Sequence, residues 1–374
     1  MKFKADRATL LKALAHIQSV AEKRNTIPIL ANARIDVVRG KLSLTATDME
    51  IAVVEEVPAT AIRDGATTAP ASTLYEIVRK LPDGVEVELD LNPDNGQLRL
   101  RAGKYGTNLV TLPVEDFPAM TAGQLPHRFK LGAQILRGLI DRTRFAISTE
   151  ETRYYLNGIF LHATAGGEGQ MLRAVATDGH RLARVEVDVP DGAAGMPGVI
   201  IPRKTVAELR KLIDEESGEV EIGLSDTRIQ FRAGHVTLTS KLIDGTFPEY
   251  ERVIPKDNDK VLRVGVRDFS DAVGRVAAIS SERSRPIKMT LSQDLLTLSA
   301  ASPEQGTASE ELDADRVKYA STPLEIGFQA RYLSDITDQI EGEVEFHFSD
   351  GSAPTVVRDA GDASALYVLM PMRV

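Results

Sequence analysis

Residues 175–185 read VATDGHRLARV. Asp178 and His180 stand two apart beside Gly179, the makings of an acid–base pair. A carboxylate that orients an imidazole makes a general base, so the chemistry on offer would be that of an Asp/His hydrolase. Such a hydrolase also needs a nucleophile or a metal within reach. The chain has no cysteine, which removes thiolate nucleophiles, disulfides and cysteine-based zinc sites together. Its six histidines, at 16, 127, 162, 180, 235 and 347, fall in no HxH or HExxH spacing. GxSxG, Walker and GxGxxG strings are absent too, so no metal, no cofactor and no catalytic residue is expected.

The elements that carry this stretch recur. GVEVEL (84–89), GEVEIGL (218–224) and GEVEFHF (342–348) alternate apolar and polar residues, the mark of a half-buried strand. LRAGK (100–104) and FRAGH (231–235) repeat the same offset as DFPAM (116–120) and TFPEY (246–250), within one residue. Each copy opens with a strand running into a helix, over 3–20, 129–146 and 262–279. Leu10, Leu14 and Ile17 lie at helical spacing in the first, with Leu11 beside them, and Ile135, Leu136, Leu139 and Ile140 in the second. A second helix is predicted over 70–81, 202–213 and 330–340, the first two opening on proline. Two helices against antiparallel sheet, three times over, make an α+β chain of three repeated domains. The boundaries expected are 1–122, 127–253 and 258–374, with linkers near 120–127 and 254–260.

The repeats also test the dyad. TATDMEIAV (45–53) is the first-copy counterpart of VATDGHRLA (175–183). Asp48 keeps the aspartate, Glu50 replaces the histidine, and the third copy (298–307) has neither. Asp178 therefore reads as turn chemistry, its side chain bonding nearby backbone N–H groups.

The chain has 374 residues and a net charge of −9, which on its own argues against a nucleic-acid partner. The charge is segregated, however. Over the helical parts of these spans, 5–23, 132–146, 266–279, 70–81, 202–213 and 330–340, Lys and Arg outnumber Asp and Glu by fifteen to nine, so an acidic protein carries its positive charge on its helices. Phosphate neutralisation by such residues gives sequence-independent DNA affinity, and no base-reading motif is present. The first residues, MKFKADRATL, hold no apolar signal core, and no long apolar run could span a membrane. A cytoplasmic protein with no membrane partner is expected.

YYLNG (154–158), ATDGHRLA (176–183), PRK (202–204), TSKLIDGTFPEYERVIP (239–255) and YVLMPMRV (367–374), with MKF at the start and TIPIL at 26–30, resemble the bacterial sliding clamp family. That family is the beta subunit of the DNA polymerase III holoenzyme, and the resemblance runs from end to end. It implies a head-to-tail dimeric ring of three-domain subunits with the helices inside, encircling double-stranded DNA. It implies an accessory subunit without an active site. Its partners would be the replicative polymerase, the clamp loader, other polymerases and repair proteins, which dock short peptide motifs in a hydrophobic groove.

Carried over by motif, the groove walls would be Leu156, Thr177, Gly179, His180, Arg181, Leu182, Pro248, Arg252 and Val253. The C-terminal segment would add Val368, Leu369, Met370, Pro371 and Met372, and Tyr332 would join them. Methionine suits a surface that accepts several partners, because it repacks easily. Gly179 would let a peptide approach the backbone. DNA would meet Arg24, Tyr154 and Tyr155, supported by Lys12, Arg203 and Lys204, while Glu150 and Glu151 would repel phosphate. At the dimer contact Leu81 and Leu109 would meet Ala278 and Ile279, with Lys104 facing Glu304 or Glu310. The alternatives are a three-domain peptide-binding scaffold that does not encircle DNA, and the Asp/His hydrolase.

Overall fold

A computed structural model describes residues 1–21, 26–166, 169–214, 217–279 and 286–373. Its α-helices are α1 (Arg7–Gln18), α2 (Ala71–Lys80), α3 (Ala133–Asp141), α4 (Arg203–Leu212), α5 (Val266–Ala277) and α6 (Ala330–Thr337), two to each repeat. Helix α1 starts where the Asp6 carboxylate accepts the Thr9 N–H at 3.1 Å, and it buries Leu10, Ala13, Leu14 and Ile17. Helix α3 is shorter than its apolar pattern suggested. A 3₁₀ turn, Arg144–Ala146, takes over the end of the predicted span. Leu136, Leu139 and Ile140 form its buried stripe, while Ile135 lies at the margin of that stripe and is 48% exposed.

The predicted alternating strands are present as Glu86–Leu91, Glu219–Leu224 and Glu343–Phe348. In the last, Val344, Phe346 and Phe348 are buried and Glu343 is exposed, so one face packs and the other is wetted. Among the described residues all sheet pairings are antiparallel.

The chain divides into two compact units. The first comprises Met1–Arg137, Pro190–Pro197 and Lys204–Leu242. It holds α1 packed on α2, a five-stranded sheet and an eight-stranded sheet. The second comprises Gly138–Val189, Gly198–Arg203 and Ile243–Val374. It holds α5 packed on α6, a nine-stranded sheet and a four-stranded sheet.

The long sheets exist because one repeat's last strand joins the previous repeat. In the first unit Val236–Lys241 pairs with Ile51–Val57, Val236 opposite Glu55 and Ser240 opposite Ile51. In the second, Ala365–Leu369 pairs with Arg181–Asp188, Leu369 opposite Arg181. The backbone ladder continues past each strand end: Lys241 N–H donates to Glu50 C=O, and Met370 N–H to His180 C=O, both at 2.9 Å. Two strands of the same kinds stay on sheet edges. They are Tyr105–Leu109 in the five-stranded sheet and Gly306–Leu312 in the four-stranded sheet.

Candidate functional site

The ATD turns of repeats one and two are built alike. The Asp178 carboxylate accepts the N–H groups of His180 (2.9 Å) and Arg181 (3.0 Å). The Asp48 carboxylate does the same for Glu50 (2.8 Å) and Ile51 (2.7 Å). The preceding threonine hydroxyls, Thr47 and Thr177, each donate across the turn, to Ile51 C=O and Arg181 C=O. The residue between must take a left-handed conformation, and there the repeats differ: Gly179 has φ 88° and Met49 φ 74°.

Asp178 is thereby committed to structure. One oxygen holds the turn and the other accepts Arg181 Nε at 3.1 Å. Arg181 is 6% exposed, and its remaining guanidinium nitrogens donate to Asp335 (2.5 Å) and Phe145 C=O (2.6 Å). Its charge lies 4.4 Å from the Tyr332 ring centre and 5.1 Å from that of Phe145. The His180 ring stacks on Tyr332 instead, at 6.4 Å and 24°. No Asp178–His180 dyad forms, and the geometry of a general base is missing. Among the described residues no group of three or more His, Asp or Glu side chains could hold a metal ion.

Beside this turn lies an apolar hollow of about 330 Å³. Of the groove residues named from the sequence it is lined by Leu156, Thr177, Gly179, Arg181, Leu182, Pro248, Val253, Val368 and Met370. Leu156, Leu182 and Val368 are its buried backing, continuous with a core of Val175, Ile200, Phe247, Tyr250, Val356 and Leu366. Val253 and Met370 are exposed at its lips. Period-2 geometry explains the C-terminal strand: Val368 and Met370 line the hollow, while Leu369 between them is fully buried and does not. Met372 is tied elsewhere, its N–H donating to Gly327 C=O at 2.9 Å, and Pro371 is half-buried. Arg252 pairs with Glu249. His180 and Tyr332 line an adjoining polar cavity of about 490 Å³ with Arg144, Arg203 and Arg331, and Arg181 borders both spaces.

The hollow has four further lining residues: Arg153, Tyr155, Glu249 and Tyr250. Glu249 and Tyr250 belong to the recurrent TFPEY string, which was a legible signal. Arg153 had none. A Cβ built on Gly179 would stand 2.5 Å from its guanidinium Nη1, so Arg153 fills the space the missing side chain leaves. Tyr250 is held from behind, its hydroxyl 3.0 Å from His162 Nε2 and 3.3 Å from Arg173 Nη1.

The first-repeat counterpart is arranged differently. Lys241 stands where Met370 stands, and its ammonium pairs with Glu50, the His180 counterpart, at 2.9 Å. Asp48 also accepts Lys204.

The remaining named residues are spread over the surface. Lys12 and Arg203 are exposed, and Tyr154 is 53% exposed with its ring edge-on to Tyr155 at 5.8 Å. Arg24 lies outside the described residues. Glu150 pairs with Arg153 at 2.6 Å, and that hydrogen bond holds its carboxyl below the ordinary carboxylate value. Many helix cations are paired too: Arg7 with Asp83, Arg79 with Glu76, Lys211 with Glu208 and Arg275 with Glu310. The exposed ones, such as Arg79 with Glu76, are worth little. At the chain's open edges Leu81 and Leu109 are mostly buried, Lys104, Ala278 and Glu304 are exposed, and Ile279 is half-buried. Glu310 is already engaged by Arg275.

Sequence models of the DNA polymerase III beta subunit match the chain three times: the N-terminal domain over residues 1–121, the central domain over 130–249 and the C-terminal domain over 251–373. The beta sliding clamp of Caulobacter vibrioides is 49% identical over 375 residues, covering all of both chains. That of Escherichia coli K12 is 37% identical over 376 residues, again covering all of both. A crystal structure of the C. crescentus beta sliding clamp superposes with a TM-score of 0.97 at 49% identity, covering 100% of this chain and 99% of that one. The Bartonella birtlesii clamp bound to griselimycin gives 0.96 at 48% identity over the whole of both chains. The griselimycin-bound clamp of Pseudomonas aeruginosa gives 0.94 at 40%, again over both whole chains. With all three domains matched in order and the ATD turn opening onto an apolar groove, the chain belongs to the DNA polymerase III beta subunit family, the bacterial beta sliding clamps.

Proposed function

We propose that two copies of this chain close head to tail into a ring around duplex DNA and tether the replicative polymerase to its template. The observation that carries this is the strand-pairing rule. Twice within the chain, the last strand of one repeat pairs antiparallel with a fixed strand of the repeat before it. Among the described closing and receiving strands, the last strand of repeat one, Tyr105–Leu109, and the receiving strand of repeat three, Gly306–Leu312, are the two left on edges. Joined by the same rule between copies, the five- and four-stranded sheets would make a third long sheet and hide both edges.

The internal seams suggest the register. Thr107 corresponds to Leu238, which faces Val53; Val53 pairs with Ala46 in its hairpin as Ala308 pairs with Ala300, so Thr107 should face the partner's Ala308. Val110, 71% exposed, corresponds to Lys241 and Met370, whose N–H groups extend the two internal seams. In this register Lys104 falls beside the partner's Glu310, which Arg275 already engages, and Glu304 lies about seven residues away along the strand, while Leu81 and Leu109 would pack against Ala278 and Ile279. The domains are taken as 1–122, 127–253 and 258–374.

A ring holds DNA by enclosure, so weak phosphate contacts suffice and sliding stays fast. Lys12, Arg24, Tyr154, Tyr155, Arg203 and Lys204 are assigned to these contacts. The apolar groove would receive short peptide motifs of polymerases, the clamp loader and repair proteins. Two relatives are bound to griselimycin, and a third carries a polyethylene glycol at a motif-tethering region, which supports ligand binding by clamps of this kind. Among the described residues no helix is long and apolar enough to cross a membrane. A part in bacterial replication supports a cytoplasmic location.

Loading the protein onto nicked circular DNA and washing at high salt tests the ring. Retention should survive the wash and vanish when the circle is linearised. Loss from intact circles at the same rate would point to the non-encircling scaffold.

A further inference from the structure

Tyr250 belongs to the groove, and its hydroxyl reaches a partly buried polar cluster of His162 and Arg173. The Phe160 ring stacks between Phe247 (4.8 Å, 7°) and His162 (4.7 Å, 24°), and Phe247 meets the Tyr250 ring edge-on at 6.5 Å. Arg173 Nη1 donates to the Tyr250 oxygen at 3.3 Å. The hydroxyl proton is then free to go to His162 Nε2, 3.0 Å away. That assignment requires a neutral imidazole carrying its proton on Nδ1. Burial, reinforced by the Arg173 charge, pushes His162 below its ordinary value and keeps the ring neutral at pH 7. Arg173 is held in turn by Glu186 at 2.8 Å and by Glu251.

A phenylalanine would fill the same wall without any of this. Burying an arginine and a histidine costs desolvation energy that an apolar core would not incur. What a satisfied network adds is a single orientation. We propose that His162 and Arg173 are positioning residues for peptide docking: through the Tyr250 hydroxyl they fix the groove wall. This rests on the reading of the groove as a docking site.

Griselimycin is the probe, titrated calorimetrically against the full-length protein and its His162→Ala, His162→Gln, Tyr250→Phe and His162→Ala/Tyr250→Phe variants. His162→Ala should weaken binding about three- to tenfold, the net worth of one hydrogen bond. His162→Gln, whose amide oxygen can accept the hydroxyl proton, should recover most of the loss. In the Tyr250→Phe background, His162→Ala should change nothing further. An equal loss in both backgrounds overturns the proposal, as does full affinity in a folded His162→Ala protein. If the unaltered protein fails to bind griselimycin, the docking reading itself falls, and that result needs no variant to be seen.

Discussion

Gly179 and Met49 answer the same backbone demand, and the groove depends on the difference. A side chain at this turn costs about 1–2 kcal/mol in the left-handed region, which the first repeat already tolerates. Gly179→Met should therefore fold, with thermal unfolding lowered by that amount. Its side chain must displace Arg153, so griselimycin affinity should fall by more than tenfold, about 1.4 kcal/mol or more. His162 makes a separate prediction. Its folded value lies below the ordinary 6.5, so between the two the unfolded chain binds the extra proton. Stability should rise with pH through that window and be lost as pH falls through it. Urea unfolding of His162→Gln should show a flatter dependence there. At this scale the sequence was half legible. Asp48 in place beside Glu50 exposed Asp178 as a turn residue, because a dyad cannot survive loss of its base. Arg153 and the inward-facing Leu369 were hidden, since one depends on a side chain crossing an empty glycine and the other on strand phase at a chain end.

The strands decide where the compact units fall. Sequence periodicity marked the helices and the alternating strands, because both follow from local burial. It could not show that Val236–Lys241 and Ile51–Val57, almost two hundred residues apart, share one ladder, since pairing partners leave no local periodic trace. The units accordingly cut across the repeats: the sheet of one draws strands from repeats one and two, and that of the other from repeats two and three. Leu238 sits at the middle of the first seam, fully buried opposite Val53. Leu238→Ala should cost about 2–5 kcal/mol. Because that strand belongs to the first unit, its urea transition should move first and leave behind most of the tyrosine fluorescence change, since six of the eight tyrosines lie in the second unit.

For the whole molecule, the edge strands are the vulnerable point. Lysines at Thr107 and Ala308 together would set like charges across the proposed ladder, and directly opposed like charges destabilise a strand pair. Thr107→Lys/Ala308→Lys should run as a folded monomer by native mass, while Thr107→Lys/Ala308→Glu should return to the dimer. A lysine pair that leaves the dimer intact would place the contact elsewhere.

The salt bridge from Lys241 to Glu50 has a bearing on traffic. Repetition supplied each subunit with the same turn twice, and at the first copy Met49, Glu50 and Lys241 stand where Gly179, His180 and Met370 stand in the second, so the first presents charge where the second presents an apolar berth. Visitors to a subunit must therefore queue for the second, and hand-over between a polymerase and a repair factor on the same subunit becomes an exchange in time and not a sharing of space.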